Sequence, residues 1–98
     1  VIDSENYFLH IVNRLTIDDI SVLGVLIDNK ATAPFKAMKK KELSEVADIS
    51  EANLRKTIYR LDVANFVETV TGIREHKLYV TDLGVLAIEK SLEGEMEE

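Results

Sequence analysis

Cysteine is absent from the 98 residues, which excludes disulfides and thiolate metal sites. That fits a reducing interior, although exported bacterial chains also do without cysteine. Histidine occurs only at His10 and His76, and neither has a second His at ligand spacing, so no metal site is expected. No run approaches the ~20 apolar residues of a membrane span. The start lacks the basic-then-apolar layout of a signal peptide, and the expected setting is cytoplasmic, without a membrane partner. No glycine-rich phosphate loop or nucleophile motif occurs. Asp18 and Asp19 adjoin, but neighbours on a helix point about 100° apart, so they form no catalytic pair. Charge at a helix start explains them better. The chain reads as a non-enzyme without a cofactor.

What is present suits one small domain over residues 1–98, because 46% apolar content fills one core but not two. A net charge of −6 argues at first against a nucleic-acid partner. The distribution weakens that objection. Residues 1–35 sum to −3 and residues 78–98 to −5, whereas 36–77 sum to +2 and hold three quarters of the Lys and Arg.

That basic block contains the most informative pattern, Glu42 to Leu61. Leu43, Val46 and Ala47 supply the buried side of a first short helix, Ile49 fills a turn, and Leu54, Ile58 and Leu61 repeat at helical spacing along a second. This is a helix-turn-helix, over about 40–63. Before it, Tyr7, Phe8, Ile11, Val12 and Leu15 make an amphipathic helix over about 4–15. Thr16 and Asp19 then resemble a helix-capping arrangement ahead of a central buried helix, Ile17 to Ile27. Lys30 to Phe35, with the only proline, Pro34, reads as a loop, and Lys36 to Met38 as a short strand. Phe66 to Thr71 and Leu78 to Val80 are β-prone and flank a polar tip, giving a two-stranded hairpin over about 66–80. A last helix, over about 81–92, has Leu83, Leu86 and Ala87 at helical spacing, before Gly94 and an acidic tail expected to fray. The fold class is mainly α with a small β-hairpin: a winged helix-turn-helix with extra N- and C-terminal helices.

The span from Asp18 to Leu92 resembles the MarR-like winged-helix DNA-binding proteins. Leu78-Tyr79-Val80-Thr81-Asp82-Leu83-Gly84 is similar to their strand-to-helix junction, in which Thr is followed three residues later by Gly. Within that group, length, helix order and Asp82-Leu83-Gly84-Val85 resemble the TubR family, the centromere-binding proteins of tubulin-based plasmid partition. Asp48 stands where the larger group usually has glycine, and Asp tolerates left-handed backbone better than most residues.

Helical phase assigns a readout face. With Leu54 at the centre of the buried side, Ile58 and Leu61 fall within about 40° of it, Ala52, Lys56 and Tyr59 fall opposite, and Asn53 and Arg60 flank the outer face. A recognition helix needs this layout to present donors and acceptors to base edges. Asn53 suits an adenine edge, Lys56 or Arg60 guanine or phosphate, and Ser50 a phosphate at the helix start, with Arg55 in the same basic set. An exposed, merely solvated helix face is the plain alternative. Lys39, Lys40 and Lys41 oppose the dipole of the helix they open, which a DNA phosphate would reverse; a solubilising cluster offset by Glu42 and Glu45 fits equally. At the hairpin tip Gly72 to Lys77, Arg74 is the candidate for the minor groove and Lys77 for phosphate, against a solvated turn.

A homodimer is expected, because the terminal helices add apolar area that a winged-helix core of this size does not cover, with Tyr7, Phe8, Ile11, Val85 and Ile88 as interface candidates. The leading reading is a dimeric, sequence-specific double-stranded DNA-binding protein acting as a transcriptional regulator. The TubR resemblance implies the alternative of a plasmid partition adaptor that binds centromere repeats and recruits a tubulin-like GTPase filament. A winged helix used only for protein contacts is the third.

Overall fold

The structure, a computed structural model, describes residues 4–70 and 76–96. Its elements in chain order are α1 (Ser4–Val12), α2 (Ile17–Asp28), a 3-10 turn (Pro34–Lys36), β1 (Met38–Lys39), α3 (Lys40–Ala47), α4 (Glu51–Val63), β2 (Val67–Val70), β3 (Lys77–Val80) and α5 (Asp82–Met96). The expected helix-turn-helix is present as α3 and α4, and the arrangement is a winged helix-turn-helix. The sheet is larger than the expected hairpin. It has three antiparallel strands in the order β1-β3-β2, with Met38 opposite Leu78 and Lys39 opposite Lys77. Lys36 belongs to the 3-10 turn, because Pro34 supplies the fixed φ that opens such a turn, and the strand starts two residues later than expected.

α2 is the frame on which the rest is built. Thr16 caps it by accepting the Asp19 N–H at 3.1 Å, while Asp19 accepts the Thr16 N–H at 2.9 Å, the reciprocal capping box anticipated from sequence. Its Val22, Leu23 and Leu26 are fully buried with Leu43 of α3, Leu61 of α4, Phe66, and Leu78 and Val80 of β3. α1 ends at Val12, earlier than expected, in a turn over Asn13 and Arg14.

Two expectations about burial are corrected. Val46 is 55% exposed. The inner face of α3 runs through Lys40, Leu43, Ser44 and Ala47, and Val46 lies about 110° from its centre. In α5 the residues turned inward are Gly84 and Ala87, whereas Leu83 and Leu86 face out. Of the proposed intersubunit residues, Phe8, Ile11, Val85 and Ile88 pack partly on the chain's own core, because α1 lies against α5 and Phe8 meets Phe66 edge to face at 6.3 Å. Tyr7 remains exposed, joined by Leu9, Leu83, Leu86 and Leu92.

The strand-to-helix junction has a physical explanation. Thr81 Oγ1 accepts the Gly84 N–H at 3.1 Å and donates to the Asn65 carbonyl at 2.6 Å, so one hydroxyl caps α5 and ties it to the end of α4. A Cβ on Gly84 would lie 2.3 Å from the Phe66 carbonyl oxygen, so this position admits only glycine without movement.

Candidate nucleic-acid interface

The turn between α3 and α4 is closed by local hydrogen bonds. Asp48 takes left-handed backbone, φ 54° and ψ 48°, as the sequence allowed. Ser44 contributes twice: its carbonyl accepts the Ile49 N–H and its hydroxyl donates to the Ile49 carbonyl at 2.6 Å. Ser50 then caps α4, its hydroxyl accepting the Asn53 N–H at 3.3 Å. Ser50 is exposed, so its hydroxyl can donate outward while its oxygen accepts in the cap.

α4 divides as phase requires. Leu54, Thr57, Ile58 and Leu61 are buried. Ala52, Asn53, Arg55, Lys56 and Tyr59 are exposed, Tyr59 by 71%. Thr57 is an inner-face residue that apolar periodicity alone does not reveal.

Cations from different elements meet beside this helix. Lys40 and Lys41 of α3 share a cleft of about 170 Å³ with Arg55 of α4, floored by Leu54 and Ile58 and edged by Glu51. Lys39, Lys40, Lys41 and His76 line an adjoining depression of about 460 Å³. The Lys40 N–H donates to the His76 carbonyl at 3.2 Å, which fixes the start of α3 against the entry of β3. Sequence spacing tests His76 only as a metal ligand. Its place beside the lysines follows from the pairing of β1 with β3, which no local pattern announces. Lys77 is the first residue of β3, half-buried and opposite Lys39, and not part of a free tip. Arg74 lies outside the described residues.

Arg60 stands apart. Its Nη2 is 2.7 Å from Asp19 Oδ1 and 3.4 Å from both Thr16 Oγ1 and Thr57 Oγ1. It joins α4 to the first turn of α2, away from the lysine cleft's lining. Among the described residues no group of three or more His, Asp or Glu is placed to hold a metal ion, and no helix is long and apolar enough to cross a membrane.

No protein-family model matches the chain. It is 44% identical over 87 residues to the DNA-binding protein TubR of Priestia megaterium, covering 89% of this chain and 86% of that protein. The solved structure of TubR from Bacillus megaterium pBM400 superposes with a TM-score of 0.84 at 44% identity, over 89% of this chain and 97% of the other. A MarR family transcription regulator shares the fold at a TM-score of 0.70 with 16% identity, over 86% of this chain and 54% of its own.

Proposed function

The chain belongs to the TubR family, and from that premise we propose that it is a dimeric, sequence-specific double-stranded DNA-binding protein of the cytoplasm that serves as a plasmid partition adaptor. In this reading α4 enters the major groove with Ala52, Asn53, Lys56 and Tyr59 outward, Asn53 and Lys56 reading base edges. Ser50, Arg55 and the lysines opening α3 hold phosphate, and Arg74 and Lys77 belong to the wing. The observation that carries it is the exposed polar face at the start of α4 beside a cleft shared by Lys40, Lys41 and Arg55. Local charge, not the net −6, governs phosphate binding at this distance, since the screening length is about 8 Å at physiological salt.

Family membership favours the partition role, with a tubulin-like GTPase filament as the protein partner, over ordinary repression. The likeness to transcription regulators rests on fold at 16% identity. A salt-dependent titration with footprinting on the DNA beside the native gene tests this. Cooperative filling of clustered repeats is the expected result. A single short protected palindrome would replace partition with transcriptional repression. No binding at low salt would leave a module for protein contacts.

A further inference from the structure

Helical phase places Arg60 near guanine or phosphate, but its surroundings point elsewhere. Asp19 is 3% exposed, and both its oxygens are engaged, Oδ2 by the Thr16 N–H and Oδ1 by Arg60 Nη2. A guanidinium paired with a buried carboxylate presents little net charge to a phosphate. Arg60 is also the tenth residue of a 13-residue helix, roughly 13 Å beyond its start, whereas recognition helices read bases with their N-terminal residues. The pair instead locks α4 in rotation against α2, the element that also packs on α3 and α5. A rotation of ~10° would carry a side-chain tip ~6 Å from the helix axis through about 1 Å. That exceeds the ~0.5 Å within which a hydrogen-bonding constellation keeps its geometry.

We propose that Arg60 is a positioning residue of the interface and that the buried Asp19 sets the angle at which α4 meets DNA, an inference that rests on the DNA-binding reading above. Its signature is unusual for an acidic protein: neutralising one of its acids weakens specific binding.

The test compares wild type, Asp19→Asn, Arg60→Gln and the double variant on the footprinted site and on unrelated duplex, each across a salt series. Asn at 19 retains an acceptor for the Thr16 N–H while removing the charge. Each single variant is expected to lose roughly threefold to tenfold in specific affinity, with the double no worse than either. Affinity of Asp19→Asn for unrelated duplex should not fall, since non-specific binding depends on charge and not on helix angle and this variant only removes a negative charge, whereas partial unfolding would lower both. The dependence of log K on log salt should keep its slope. A slope reduced by about 0.9 in Arg60→Gln would make Arg60 a phosphate ligand and overturn the proposal. So would Asp19→Asn binding as tightly as wild type or more tightly. Should Arg60→Gln fail to fold, Asp19→Asn decides alone. Wild type failing to bind any DNA at low salt would remove the DNA reading along with the proposal, whereas the other adverse outcomes leave that reading standing.

Discussion

Asp19 closes a capping box on its own helix with one carboxylate oxygen and with the other holds Arg60, 41 residues further along the chain. Two interactions therefore end with one side chain. Removing the cap costs about 1 kcal/mol. The ion pair adds less than a fully buried one, because the Arg60 side chain is 47% exposed and its charge is screened. Asp19→Ala is expected to lower stability by about 2 kcal/mol and Thr16→Ala by about 1 kcal/mol, read as the shift in urea midpoint. Equal shifts in the two would show that the pair with Arg60 contributes nothing beyond the cap.

Gly84 and Gly24 form a matched contrast. A Cβ at 84 would meet the Phe66 carbonyl oxygen at 2.3 Å and Val80 Cγ2 at 2.6 Å, so α5 would have to shift off the sheet; at 24 nothing lies within 4 Å. Gly84→Ala should destabilise by about 2–3 kcal/mol or more. Gly24→Ala, within α2, should stabilise by up to about 1 kcal/mol through helix propensity. Thermal melts of the two variants check both signs.

Local chemistry makes part of this molecule legible in its sequence. The Thr16 and Asp19 box, the turn at Asp48 and the phase of α4 each depend on residues within one helical turn of one another, and each is where the sequence places it. What depends on pairing across the chain is not legible. Lys36 to Met38 marks a strand near the right place, but its partner and register come from β3, and with them the meeting of Lys39, His76 and Lys77. Arg60 shows the same limit. Its phase on α4 is as expected, yet the identity of its partner is decided by how α4 lies on α2. Val46 fails for a third reason: an eight-residue helix buries a narrow stripe, and an apolar residue beside that stripe faces water.

Asp48→Gly is a stabilising change on the same local logic. At φ 54° an L-residue with a Cβ is strained, and glycine relieves this while adding freedom to the unfolded chain. The net gain expected is about 0.5–1 kcal/mol in denaturant midpoint. DNA affinity should not fall, since the backbone there already has the glycine-like conformation and the change removes a negative charge.

Tyr79 supplies a pH signature at the alkaline end. Its hydroxyl donates to the Glu68 carboxylate across β2 and β3, and this bond, with smaller effects from burial and from Glu68's charge, raises the phenol above its ordinary value near 10. A raised value in the folded state means stability that is complete below about pH 10 and lost as pH rises through the folded value. The stability difference between wild type and Tyr79→Phe should be constant from about pH 7 to 9 and shift against wild type above about pH 10. Paired urea melts across that range measure it.

Lys40 and Lys41 separate the two readings of the lysine run, because folding and binding respond to them with opposite signs. Both sit in the first turn of α3, where a positive charge opposes the helix dipole by a few tenths of a kcal/mol when exposed. Lys40→Ala/Lys41→Ala should therefore fold slightly more stably than wild type, by up to about 0.5 kcal/mol. If the cleft they share with Arg55 seats phosphate, the same variant should bind DNA more weakly, with the salt slope reduced by about 0.9 for each phosphate no longer neutralised. A gain in stability with an unchanged slope would mean that the lysines serve solubility, and would move the phosphate seat to Arg55 and the start of α4.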